Sequence, residues 1–136
     1  MRFVDTSWWA AWALPDDPRH HEAIAVTSRL APAEQVLTTN RVVAETWTLL
    51  SRRAGVDTAA MFGDRVARLS TSHRLTVVEV DALTESKAWI WLRDHDEYPY
   101  SFVDGTSFMV MRARRIREAF AFGDAFTAAG FVEARA

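Results

Sequence analysis

The sequence predicts an α/β domain, a short and mostly parallel sheet covered by helices on both faces. Three observations predict it. Short apolar runs, several rich in β-branched residues, alternate with longer segments of helical period. The strand-like runs are short and hydrophobic, as suits strands covered on both faces. No internal repeat, low-complexity tract or long linker interrupts the 136 residues. Residues 1–136 are therefore read as one domain.

The elements follow in order. In the opening RFVDTSWW, residues 2–4 read as a strand that runs straight into Asp5. SWWAAWAL, 7–14, is a compact apolar helix stopped by Pro15. The loop PDDPRHH leads into a helix over about 19–31. EQVLTT, 34–39, reads as a buried strand. Asn40, or a threonine before it, caps a helix over 41–53, and Gly55 ends it. A helix over 57–71 precedes RLTVVEV, 74–80, the clearest strand because of its β-branched content. Residues 82–95 are helical. After the loop DEYPYSFVD come a helix over 105–114, the short strand EAFAF at 118–122, and a last helical turn and strand in 124–134.

Composition narrows the classes. An apolar share of 49% supplies a core and argues against disorder. The absence of cysteine excludes a disulfide framework and thiolate metal sites, and is compatible with a reducing cytoplasm. There is no basic-then-apolar leader and no run of about 18 apolar residues, so a cytoplasmic protein with no membrane partner is expected. The formal net charge of −2 gives no overall field toward nucleic acid, so any such site must be local. Every cationic side chain but Lys87 is arginine.

In a parallel sheet, ligands bind beyond the carboxyl ends of the strands, where Asp5 falls. Three more acids are candidates. Glu45, in RVVAETWTLLSRR, lies at the edge of the inward stripe formed by Val42, Val43, Thr46, Leu49 and Leu50. It suits either an exposed helix surface or the rim of a cleft. Asp104 precedes Gly-Thr-Ser at the predicted helix start. It reads as an N-cap, or as an acid freed for other work because Thr106 or Ser107 can cap instead. Asp124 follows the strand EAFAF beside Gly123, a place that also suits a turn. Gathered within a few Å, such acids cannot all stay ionised without a counter-charge. Oxygen-only ligands point to Mg²⁺ or Mn²⁺, which polarise a phosphodiester and activate water.

FVDTS, VVAETWTLL, YSFVDGTSFMVMRARRIREAFAF and FTAAGF, in that order, resemble the PIN-domain family, and more narrowly its VapC branch of bacterial toxin ribonucleases. The resemblance covers nearly the whole chain and is most specific from Ser101 to Phe131. It implies a three-layer α/β/α fold and a metal-dependent endoribonuclease acting on a structured RNA, tRNA or rRNA. It also implies a homodimer and a VapB-like antitoxin whose tail blocks the site, with a heterotetramer or larger assembly between them. Family acids fall on Asp5, Glu45 and Asp104. Asp5 and Asp104 would be the main metal ligands, and Glu45 would orient or deprotonate the attacking water. The product would carry a 5′-phosphate and a 3′-hydroxyl. The fourth acid does not transfer cleanly. An ungapped match puts Gly123 where an aspartate belongs, and Asp124 stands one place later.

Arg112, Arg114, Arg115 and Arg117 suit phosphate contacts beside the acids or a solvated helix face. Trp8, Trp9, Trp12 and Trp47, with Trp89 and Trp91, suit base stacking or the packing of a core, a dimer interface or an antitoxin groove. His20, His21, His73 and His95 show no ligand or triad spacing. Two other readings stay open. One is an acid-pocket phosphatase with Asp5 as nucleophile, although Ser7 stands where haloacid-dehalogenase-like enzymes want a second aspartate. The other is a PIN-like binding module that has lost catalysis at Gly123.

Overall fold

The structure is a computed structural model and describes residues 1–135. Five parallel strands form its sheet: β1 (Arg2–Val4), β2 (Val36–Thr39), β3 (Leu75–Val78), β4 (Glu118–Phe120) and β5 (Val132–Glu133). Their spatial order is β3-β2-β1-β4-β5. Phe3 stands in register with Leu37 of β2 on one side and Ala119 of β4 on the other. Seven helices connect them: α1 (Thr6–Ala13), α2 (His20–Ser28), α3 (Asn40–Ala54), α4 (Val56–Thr71), α5 (Ala82–Asp94), α6 (Phe102–Ala113) and α7 (Ala125–Ala128). From β1 the chain steps outward to β2 and β3, then returns to β4 on the other side of β1. Right-handed crossovers, the rule for parallel units, place α1–α4 over one face and α5–α7 over the other. The packing agrees: α1 lies against α2 and α3, α3 against α4, and α6 against α5 and α7. The strand order reverses between β1 and β4, which makes their carboxyl ends the crevice of the fold.

The central strands are short and covered on both faces. Phe3, Leu37, Ala119 and Phe120 are wholly or almost wholly buried. Phe126 of α7 lies 6.1 Å from Phe3 and, nearly perpendicular, 5.0 Å from Phe108 of α6. This aromatic column fastens α6 and the last helical turn to the sheet. Trp8 and Trp9 of α1 fill the opposite face, with Trp8 4.9 Å from Phe120 and Trp9 edge-on to Phe62 of α4 at 5.6 Å.

Helix boundaries follow their caps. Thr39 caps α3 through Val42 N, while the neighbouring Asn40 accepts from Val80 N at 2.8 Å and ties α3 to the end of β3. The expected start of α6 near residue 105 is corrected. Ser101 is the N-cap, and its hydroxyl accepts from Asp104 N while Asp104 Oδ2 accepts from Ser101 N, each at 3.0 Å. This reciprocal box starts α6 three residues earlier and puts Asp104 inside the first turn. Gly105 then seats α6 on α5, since a Cβ there would meet Leu92 Cδ1 at 2.9 Å.

Candidate active site

Asp5 ends β1 and caps α1. Its backbone N–H bonds Phe120 O at 3.0 Å, which fixes it at the reversal point between β1 and β4. Oδ2 accepts from Ser7 N at 3.1 Å and from Ser7 Oγ at 2.7 Å. Ser7 Oγ in turn accepts from Phe122 N at 2.9 Å, so one hydroxyl joins the acid to the loop after β4. The position where a phosphatase would need its second aspartate is thus an internal tie. A cap alone needs no ionised group, and serine or asparagine would serve. Asp5 is only 7% exposed, and its carboxyl is pushed up from 3.8 to about 6. Burial is the main cause, the Ser7 hydrogen bond opposes it, and the charge of Asp104 adds to it.

Glu45 is half-buried on α3, at the rim of the stripe whose buried members are Val42, Thr46 and Leu50. Burial raises its carboxyl, the nearby Thr6 hydroxyl partly offsets this, and Asp104 raises it further. The Thr6 hydroxyl faces Glu45 without completing a hydrogen bond, so Thr6 Oγ1 is buried and unpartnered. Asp104 is half-buried; burial raises it against the lowering by Ser101. One turn further along α6, on the same face, Ser107 Oγ is also buried without a partner. The first turns of α1 and α6 thus bring two acids to helix N-termini, where the backbone dipoles favour negative charge. Desolvation and mutual repulsion still win, because all three acids are raised.

The fourth candidate differs from these three in its exposure. Asp124 is exposed, and its side chain caps nothing in α7. The charge acting on Asp5 and Glu45 is that of Asp104. Gly123 before it has φ +88°, a conformation that resists a side chain even though the space around it is open. The loop is therefore built for glycine at the place where an ungapped match wants an aspartate.

The other candidates divide. The basic cluster at Arg112–Arg117 lies at the far end of α6, roughly 15 Å along the axis from Asp104. It precedes β4, at the amino end of the sheet, and so is not beside the acids. Trp8, Trp9 and Trp91 are buried in the core; Trp47 and Trp89 are exposed. His20 Nδ1 bonds Ala11 O, and His95 Nδ1 bonds Trp91 O. The sequence names Ser107 only as a possible cap and gives Thr6 no role; the structure buries both hydroxyls without partners, beside or one helical turn from a candidate acid.

The donor set suits a hard cation: three oxygen acids held near one another, each made easier to ionise by a positive charge. Among the described residues, no three His, Cys, Asp or Glu converge tightly enough to enclose an ion by themselves. By its chemistry, oxygen donors with no thiolate or imidazole among them, the set suits a hard ion such as Mg²⁺. PIN-domain nucleases depend in general on a divalent metal.

Known proteins share this architecture. The PIN domain family model matches residues 2–132. A Mycobacterium tuberculosis protein named 23S rRNA-specific endonuclease VapC20, from strain CDC 1551 / Oshkosh and again from strain ATCC 25618 / H37Rv, is 49% identical over 135 residues. The match spans 99% of this chain and 98% of that protein. The crystal structure of M. tuberculosis VapC20, described as a sarcin–ricin loop cleaving toxin, superposes with TM-score 0.91 at 47% identity over the full length of both chains. FitAcB from Neisseria gonorrhoeae shares the fold at TM-score 0.67 and 15% identity, covering 98% of this chain and 96% of its own. With the family model matching almost from end to end and a relative at 49% identity, the chain belongs to the PIN-domain family, in its VapC branch.

Proposed function

We propose that this protein is the toxin of a toxin–antitoxin pair and an endoribonuclease that cuts the sarcin–ricin loop of 23S rRNA. The observation that carries the reading is the desolvated trio of Asp5, Glu45 and Asp104 at the crevice between β1 and β4. The substrate rests on the 49% identity to a 23S rRNA-specific endonuclease. A single PIN domain spanning the chain, acting as a homodimer in the cytoplasm and restrained by a VapB-like antitoxin in a heterotetramer or larger complex, completes the proposal.

Asp5 and Asp104 would hold Mg²⁺ or Mn²⁺, with Glu45 and the Thr6 hydroxyl at the rim. Such an ion supplies Lewis-acid polarisation of the phosphodiester and activation of water. The chain's own residues do the rest. Ser7 holds the Asp5 carboxylate in one orientation through two hydrogen bonds to Oδ2, leaving Oδ1 for the site. The box with Ser101 does the same for Asp104. Glu45, only partly buried, accepts the proton of the attacking water and returns it to solvent. Its raised affinity for protons improves it as a base near neutral pH. Asp124, exposed in the loop after β4, would take no part in holding the ion.

The test is cleavage of a synthetic sarcin–ricin stem–loop by purified, antitoxin-free protein, with Mn²⁺ or Mg²⁺ and with chelator, beside Asp5→Asn and Asp104→Asn. Discrete metal-dependent cuts that both substitutions abolish are expected. Cleavage that survives the substitutions overturns the site, and folded protein that cleaves no RNA with either metal overturns the function.

A further inference from the structure

The acids would bind and cut one phosphodiester, but three carboxylates repel the rest of an RNA backbone. Cationic groups must lie close by, and the structure separates the arginines by what already engages them. Arg2 pairs with Glu34 and Glu118, Arg19 with Glu22, Arg41 with Glu85 and Arg135 with Glu133. Arg65 covers Trp12 and Arg112 lies over Trp91. Arg114, Arg115 and Arg117 precede β4, Arg29 precedes β2, and Arg68 and Arg74 precede β3, all toward the amino end of the sheet, while Arg93 stands in the last turn of α5. Arg52 and Arg53 are unengaged and share a groove with one of the three acids. Both are exposed, and among the described residues neither forms an ion pair or a side-chain hydrogen bond. They line one open groove together with Glu45, Thr48 and Leu49. Arg52 follows Glu45 by seven residues, almost two full turns, so it returns to the same face of α3 roughly 10 Å along the axis.

We infer that the α3 groove from Glu45 to Arg52 and Arg53 is the docking track for the RNA backbone flanking the scissile bond, with both guanidinium groups on non-reacting phosphates. The inference rests on the endoribonuclease reading and deepens it. Guanidinium forks suit phosphate oxygens, and contacts away from the reacting atoms position a backbone without reading its sequence. They hold the ground state and the transition state equally, so their loss weakens binding and leaves the chemical step intact. Both arginines also stand in the last turn of α3, where any cation complements the helix dipole. A purely structural role would therefore show in thermal stability rather than in RNA affinity.

The experiment measures binding of a labelled sarcin–ricin stem–loop to Asp5→Asn protein, which is expected to bind without cutting, across a salt titration. Adding Arg52→Ala and Arg53→Ala should flatten the slope of log K against log salt by roughly 0.7 per arginine, about 1.4 for the pair. Lysine at both positions should restore the slope, and Arg114→Ala with Arg115→Ala should leave it unchanged. In the cleaving protein the α3 double variant should raise KM with kcat unchanged. A slope indifferent to Arg52 and Arg53, or equally sensitive to Arg114 and Arg115, overturns the track while leaving the endoribonuclease reading intact. Absence of salt-dependent RNA binding by the well-folded Asp5→Asn protein overturns both.

Discussion

Strand β1 carries a charged residue at each end, and the two are treated in opposite ways. Arg2, at the amino end, lies between Glu34 and Glu118, and its guanidinium stacks 4.5 Å from the Phe120 ring. Glu34 is lowered in turn, chiefly by its hydrogen bond from Arg2. Asp5, three residues on, has neutral hydroxyl and amide partners and a like charge nearby, and its carboxyl rises to about 6. One end of the sheet is closed by charges that satisfy each other. The other holds charge that wants a partner the chain does not provide. The two ends differ in burial and in compensation: Asp5 is the more deeply buried and has no cation among its partners.

The largest effect should come from removing the uncompensated charge. Asn at position 5 keeps an oxygen for Ser7 N and Ser7 Oγ while deleting the repulsion with Asp104. Asp5→Asn should lower cleavage by about 10²-fold or more, the scale on which site groups act. It should also stabilise the fold at pH 7.5 by about 3 kcal/mol, the value of a carboxyl raised from 3.8 to about 6. Between those two pH values the folded wild type keeps a proton that the unfolded chain has released. Its stability therefore falls as pH rises through that window and levels off above it, the reverse of a salt-bridged aspartate. Denaturant titrations from pH 3.5 to 8 should show this slope in the wild type and a clear reduction in Asp5→Asn. Equal slopes would mean that Asp5 is not the source of the strain.

Supplying the missing counter-charge should do the same work without mutation. At pH 7.5, Mn²⁺ at a hundred times its dissociation constant should stabilise the wild type by about 2.7 kcal/mol. The gain should shrink toward pH 5, where protons compete for Asp5, and should be largely lost in Asp5→Asn. Thermal melts with and without the ion read this directly. An equal shift in wild type and variant would place the cation elsewhere.

The compensated end predicts a smaller effect of opposite sign. Arg2→Met leaves Glu34 and Glu118 facing each other, partly exposed, and removes the contact with Phe120. A cost of about 1 kcal/mol is expected for such a partly solvated network, shrinking as salt screens the two glutamates. Cleavage should be unchanged, because Arg2 lies at the end of the strand away from the crevice. A loss of activity at unchanged stability would break the division between the two ends.

Much of this was legible in the sequence because each signal was local. Short hydrophobic runs mark the strands, and Asp5 directly follows the first of them. What stayed hidden depended on partners distant in sequence or on fine cap geometry. Ser101 and Asp104 exchange hydrogen bonds across three residues, a box that moves the helix start from the glycine after the acid to the residue after Ser101. The Arg112–Arg117 cluster follows Asp104 closely in sequence, yet α6 carries it to the opposite end of the sheet. Arg52 and Arg53 carry no local signal in the sequence, and their shared groove with Glu45 is what distinguishes them. The resemblance placed a fourth acid in doubt for a reason that the backbone now explains, the left-handed Gly123.

That doubt gives the smallest and sharpest prediction. Asp124 resembles neither end of β1: it is exposed, it caps nothing, and its side chain makes no hydrogen bond among the described residues. Asp124→Ala should change stability by no more than about 0.5 kcal/mol, as for surface substitutions away from special features. Its cleavage should stay near that of the wild type, whereas Glu45→Gln should lose about 10²-fold. The pair is informative because Glu45 is half-buried and Asp124 exposed, so both could reach a bound RNA. The charge of Asp104 separates them, since it raises Glu45 and helps define a shared site. If Asp124→Ala instead lost as much as Glu45→Gln, the loop after Gly123 would have to close on the crevice when RNA binds. The site would then be completed by substrate rather than built into the resting fold.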